Sequence, residues 1–217
     1  MFDLYVVTDS DISRGRRDHE VAELAYKGGA DVVQLRMKHA DGREMLEEAN
    51  RIREIADDYC RYFIVNDRVD IAMASGADGV HLGQNDIPCD VARELMGEQA
   101  IIGVSVNTIE QARKAVSDGA DYLGVGSIFH TKTKPDAKQA CGFDPIFQIR
   151  QEFNIPIVAI GGINRGNIQD VIRAGADSAA VVSAVVAQDD ISSAAHELRD
   201  LILKVRPHVE TRGDLSE

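Results

Sequence analysis

The tripeptide Gly-Ala-Asp occurs four times in the chain, at Gly29-Ala30-Asp31, Gly76-Ala77-Asp78, Gly119-Ala120-Asp121 and Gly175-Ala176-Asp177. Each copy closes a stretch of helical periodicity and opens a short apolar run. Glycine suits the left-handed backbone with which helices commonly end. Successive copies are 47, 43 and 56 residues apart, room for two strand-plus-helix units each. The repeat therefore constrains the chain to alternate strands with helices along its whole length.

The runs after the four copies cover residues 32–35, 79–82, 122–125 and 178–182. Four more lie between them, at 4–7, 62–65, 101–106 and 157–160. All are nearly continuous in Val, Ile and Leu, as parallel strands buried on both faces are. Between them, Leu46, Ala49, Ile52 and Ala56 mark one face of a helix over 42–58, and Ala194, Leu198, Leu201 and Val205 mark one over 191–205. Eight strands joined by right-handed helical crossovers predict an α/β fold, a single-domain (β/α)8 TIM barrel over residues 1–206. An open doubly wound sheet is the rival, but Thr8-Asp9-Ser10 stands where its G-x-G-x-x-G belongs. Residues 207–217 read as a polar, flexible C-terminal tail. Its Arg212-Gly213-Asp214 does not suit an adhesion motif in a chain that opens without a signal peptide.

Net charge is −12, from 24 Lys and Arg against 36 Asp and Glu, and Trp is absent. Such a chain is a poor match for nucleic acid or an anionic membrane. No run approaches the roughly 18 apolar residues of a membrane span. Cys60, Cys89 and Cys141 are odd in number and form no C-x-x-C, which fits free thiols and a cytoplasmic location.

In a barrel of this kind the chemistry sits at the C-terminal ends of the strands. Gln34, Arg36 and Lys38 share one face if the second strand extends to Lys38, and would aim two cations and an amide at a phosphate or diphosphate. Pairing of those cations with neighbouring acids explains them equally well. Asp67 ends strand three and Asp86 follows strand four by a few residues; neighbouring strands lie about 4.8 Å apart, so the two could share one hard cation such as Mg2+. Alternatively Asp67 caps the helix near Val69 and Asp86 makes a turn before Pro88. Gly161-Gly162 and Val182-Ser183 end strands seven and eight, where barrels often hold a phosphate. Thr131-Lys132-Thr133-Lys134 lies in a long polar connection over 126–143, a length that in compact domains usually carries function. His81, His130 and His19 are possible bases, and His81 reads rather as a hydrogen-bonded wall residue. No zinc spacing, nucleophile elbow or triad is present.

The order of these motifs resembles the thiamine phosphate synthase family. The matching stretches are Gln34–Lys38, Val65–Arg68, Asp78–Asp86, Gly103–Ser105, Thr131–Lys134, Ile160–Ile163 and Val182–Ala184. Each is weak alone, but seven stand in register. The resemblance implies a transferase that joins 4-amino-2-methyl-5-(diphosphooxymethyl)pyrimidine to a thiazole phosphate with the help of Mg2+. It implies that Gln34, Leu35, Arg36, Met37, Lys38, Asn66, Ser105 and Lys134 bind the pyrimidine diphosphate. Among these it casts Arg36, Lys38, Ser105 and Lys134 as catalytic. Asp67 and Asp86 would hold the metal, and Thr131, Lys132, Thr133, Gly162, Val182 and Ser183 the thiazole phosphate. A homo-oligomer is compatible with the family. The chain departs from the family's usual pattern at Met37, Ser127 and His130. Two other readings stay open: a thiazole tautomerase-like isomerase of the same fold, and a non-catalytic barrel that binds a phosphate ligand.

Overall fold

The eight apolar runs pair edge to edge in chain order, and the last returns to the first to close a parallel barrel. The computed structural model describes residues 2–131 and 140–206. The strands are β1 (Leu4–Val7), β2 (Val32–Leu35), β3 (Tyr62–Asn66), β4 (Gly79–Leu82), β5 (Ile101–Val106), β6 (Tyr122–Val125), β7 (Ile157–Ile160) and β8 (Ser178–Val181). Between them run α1 (Asp18–Lys27), α2 (Gly42–Asp58), α3 (Val69–Ser75), α4 (Cys89–Met96), α5 (Ile109–Ser117), α6 (Asp144–Glu152) and α7 (Ile168–Arg173). A short α8 (Ser183–Val186) and a longer α9 (Ile191–Leu203) follow β8. The expected tail over 207–217 lies outside the described residues.

Alternation splits each strand. Leu4, Val6, Val33, Leu35 and Phe63 point outward and are fully buried against the helices. Tyr5, Val32, Ile64, Tyr122, Val158 and Ala180 point inward and fill the barrel. Apolar surroundings on both faces are why these strands carry no polar alternation in sequence. Two inward positions must be glycine. A Cβ on Gly103 would collide with the Tyr122 ring, and one on Gly124 would lie 2.7 Å from His81 Cε1.

The Gly-Ala-Asp repeats form four clamps at the N-terminal face. Their glycines take φ of 95°, 66°, 88° and 103°, and so turn each helix end back toward the sheet. Each aspartate then grips the preceding odd strand twice. Its N–H donates to the carbonyl of Leu4, Phe63, Ile102 or Ile157 at 2.8–3.0 Å. Its carboxylate accepts from the N–H of the same residue. An arginine completes each clamp: Arg61 on Asp31, Arg53 on Asp78, Arg93 on Asp121 and Arg150 on Asp177. Arg53, Arg93 and Arg150 come from α2, α4 and α6. Arg199 of α9 holds the corresponding place against Gly29. The clamps lie at the end of the barrel opposite the mouth.

Among the described residues, no helix is long and apolar enough to cross a membrane. The three cysteines are free thiols.

Candidate active site

A cavity of about 240 Å³ opens at the C-terminal ends of the strands. One side of its wall carries Gln34, Arg36, Asn66 and Ser105, from β2, the end of β3, and β5. Thr131, Gly162, Val182 and Ser183 line it from the loops after β6, β7 and β8. Apolar side chains of Val7, Val158 and Ile160 lie between and below them.

The second strand is shorter than the site expectation needs. β2 stops at Leu35, so alternation does not carry Lys38 into the mouth. The cause is local. The Arg36 N–H donates to the Thr8 hydroxyl at 3.1 Å, a side-chain acceptor that replaces the next rung of the strand ladder. Arg36 still faces the cavity. Its Nη1 lies 3.2 Å from Asp9 Oδ2, and Asp9 is nearly buried, which fixes the guanidinium in place. Lys38 stands exposed on the rim with its ammonium on the Asp67 carboxylate. Leu35 is wholly buried toward the helices, and Met37 is half-buried against the same layer. Their side chains therefore point away from the cavity, while those of Gln34 and Arg36 line it.

Asp67 and Asp86 face one another beside Lys38. Asp67 has φ +64°, a left-handed conformation that aspartate tolerates better than most residues. Its N–H donates to the His81 carbonyl at 2.9 Å, so β4 sets where the turn after β3 points. Asp67 does not cap α3: that helix starts after Arg68 and has no side-chain cap. Asp86 closes a turn, taking the Gly83 N–H on its carboxylate at 2.6 Å. Burial raises the Asp86 pKa above its ordinary 3.8. The Asp67 carboxylate pushes it the same way, while the Gly83 N–H and Lys38 oppose. Two neighbouring carboxylates, with an ammonium already drawn to one, fit a hard divalent cation. Among the described residues no third His, Cys, Asp or Glu joins them. Water and ligand oxygens would have to complete the shell, as is usual for Mg2+.

The glycine pair at the end of β7 serves a close approach different from the one expected. A Cβ on Gly162 would lie 2.6 Å from the His130 carbonyl oxygen and 2.8 Å from Phe129 Cβ, and one on Gly161 would strike Ser127. The Ile128 and Phe129 N–H groups donate to the Ile160 and Gly161 carbonyls at 2.9 and 3.0 Å. The glycines therefore let the loop leaving β6 lie on the end of β7, which brings Thr131 to the cavity. Lys132, Thr133 and Lys134 lie outside the described residues. His130 is exposed, and His19 pairs with Glu48 between α1 and α2, away from the cavity.

This placement agrees with a comparison of the whole chain. Residues 4–185 match the family model described as thiamine monophosphate synthase. The chain belongs to the thiamine monophosphate synthase family. It is 56% identical over 199 residues to a thiamine-phosphate synthase of Chloroflexus aurantiacus, covering 92% of each chain. It is 50% identical over 201 residues to one of Methanoculleus marisnigri, covering 93% of this chain and 95% of that one. Its fold superposes on a thiamine phosphate pyrophosphorylase of Pyrococcus furiosus with a TM-score of 0.86 at 41% identity, covering 94% and 96%. The synthase reading therefore stands above the isomerase and the non-catalytic barrel.

Within this synthase family architecture, Tyr5, Tyr122 and Asp9 are the residues around the cavity that escaped the sequence. His81, expected as a wall residue, bonds Tyr122 and Ser105. Tyr5 and Tyr122 lie under the cavity, and Asp9 holds Arg36. Strand alternation carried a signal for the tyrosines, since each sits two residues before an inward position at the mouth. In the sequence they read as ordinary apolar strand residues, because their hydroxyl partners come from other strands.

Proposed function

We propose that this barrel condenses 4-amino-2-methyl-5-(diphosphooxymethyl)pyrimidine with a thiazole phosphate, giving thiamine phosphate and diphosphate. One observation carries the assignment of roles. Gln34, Arg36, Asn66 and Ser105 converge on a single cavity, and Asp67, with Asp86 against it, follows the wall residue Asn66 in the chain. The amide and hydroxyl groups hold the pyrimidine and its diphosphate. The Arg36 guanidinium, fixed by Asp9, neutralises the departing diphosphate, helped by Lys38 on the rim and by Lys134. Mg2+ on Asp67 and Asp86 would add charge neutralisation at the same leaving group. Thr131, Gly162, Val182 and Ser183, with Lys132 and Thr133, hold the thiazole phosphate across the cavity.

The methylene carbon–oxygen bond breaks, and its electron pair leaves on the diphosphate. The ring amino group stabilises the resulting pyrimidine methyl cation. The thiazole nitrogen lone pair then forms the new carbon–nitrogen bond. No proton moves, so no protein nucleophile or base is needed, in keeping with the missing triad. Val7, Val158 and Ile160 keep water from the cation, and the walls hold the two rings in reacting geometry. A cytoplasmic location fits the three free thiols.

The test mixes purified protein with both precursors and Mg2+ and follows thiamine phosphate. Folded protein that gives no product would end this reading. A pH series adds a second check. A raised Asp86 pKa means that protons compete with Mg2+ above the ordinary carboxylate range. Calorimetric Mg2+ affinity is expected to weaken as pH falls, starting at a higher pH than for a carboxylate of ordinary pKa. Affinity that stays flat down to pH near the ordinary value of 3.8 would remove Asp86 from the cation site.

A further inference from the structure

A single line of hydrogen bonds crosses the barrel under the cavity and joins two of the substrate-facing groups. Gln34 Nε2 donates to the Tyr5 hydroxyl at 2.8 Å. The Tyr5 and Tyr122 hydroxyl oxygens are 2.9 Å apart. The Tyr122 hydroxyl is 2.9 Å from His81 Nδ1, and His81 Nε2 is 2.8 Å from Ser105 Oγ. The members come from five strands: β2, β1, β6, β4 and β5. The barrel makes room for them, since Gly103 leaves the space of the Tyr122 ring and Gly124 that of His81. The two rings stack with centroids 5.5 Å apart at 28°.

Proton counting gives this line a direction. A hydroxyl has one hydrogen to donate. Tyr5 accepts from Gln34, and giving its own hydrogen to Tyr122 is the choice that leaves no hydroxyl hydrogen along the line unpaired. Tyr122 passes its hydrogen to His81 Nδ1, which leaves the imidazole hydrogen on Nε2. That hydrogen goes to Ser105 Oγ. Burial pushes both tyrosine pKa values up, so both remain neutral donors. At the two ends, Gln34 turns its carbonyl oxygen to the cavity and Ser105 turns its O–H there. The reversed line would aim the Gln34 amide hydrogens at the cavity, where they would oppose an amino group.

We infer that Tyr122 and His81 are positioning residues that hold this relay in one direction, so that the cavity selects a ligand with a donor at Gln34 and an acceptor at Ser105. A 4-aminopyrimidine bearing a diphosphate has both: the amino group donates, and ring nitrogen or phosphate oxygen accepts. The identity of that ligand rests on the function proposed above; the direction of the relay does not.

The experiment has two arms. In the first, 15N-histidine NMR at neutral pH reads the His81 tautomer, its signals assigned by their loss in His81→Gln. The expected state carries hydrogen on Nε2 and none on Nδ1. Hydrogen on Nδ1, alone or with Nε2, overturns the proposal. In the second, Tyr122→Phe removes one oxygen and keeps the ring stack. His81 is then expected to lose its single tautomer. KM for the pyrimidine diphosphate is expected to rise about tenfold, and KM for the thiazole phosphate to change by less than about twofold. An unchanged KM for the pyrimidine diphosphate, or an equal rise in both, overturns the proposal. If the barrel makes no thiamine phosphate at all, the tautomer arm still decides the relay.

Discussion

Replacing Asp67 by alanine is expected to lower kcat at saturating substrates by about a thousandfold while the barrel stays folded. Asp67, next in the chain to the wall residue Asn66, interacts with Asp86, and no third metal-ligating side chain joins them among the described residues. Losing one leaves half a cation site and frees the Lys38 ammonium from its partner. Alanine also sits poorly at φ +64°, which adds about 1 kcal/mol of backbone strain. Asp67→Asn separates the two effects, because asparagine tolerates the left-handed region but carries no charge. Both variants should lose turnover and weaken Mg2+ binding by calorimetry, and asparagine should retain more thermal stability. Turnover within a few fold of wild type in the asparagine variant would take Asp67 out of the site.

The second large effect concerns stability and lies at the other end of the barrel. In Asp78→Ala the Phe63 N–H and the Arg53 guanidinium both lose the carboxylate that holds them at 2.7 Å. Arg53 is mostly buried, and its Nε already lacks a partner. Arg53 keeps its bond to Asp57 at 2.7 Å, so the cost is that of an unpaired Phe63 N–H and of one of the two Arg53 carboxylates, about 3 kcal/mol. For a domain of this size that is a melting temperature lower by about 6–12 °C. Activity at 25 °C should be unchanged, since the clamp lies far from the mouth. A fall under about 2 °C in differential scanning calorimetry would show that the clamp contributes little. Asp78→Asn keeps an acceptor for Phe63 and loses the charge on Arg53, so its loss should fall between wild type and alanine.

The boundaries of strands and helices were legible because two simple patterns overlap. Buried parallel strands are apolar throughout, and helices show a 3.6-residue period. The Gly-Ala-Asp copies supplied the phase, placing β2, β4, β6 and β8. Most of the mouth followed, since Gln34, Arg36, Asn66, Ser105, Gly162 and Ser183 stand at or just past strand ends and all line the cavity. Lys38 was misplaced for a reason no local pattern carries. The Thr8 hydroxyl, just past the end of β1, takes the N–H that would have extended β2. The same limit hid Asp9 behind Arg36.

The repeat itself shows the division most clearly. Its glycines announce helix ends by themselves, because a positive φ is a property of one residue. The work of its aspartates was not legible. Their arginines, at positions 53, 61, 93 and 150, follow no single spacing, since Arg61 comes after its aspartate and the other three before theirs, and each pairing depends on which segments pack together. The sequence alone determined eight strands, their order, and the end at which chemistry would lie, since these follow from periodicity and chain direction. Only the closed barrel decided what touches what. It joined Asp67 to Asp86, and it linked Gln34 to Ser105 through Tyr5, Tyr122 and His81, because such contacts depend on inter-strand register and glycine-sized gaps.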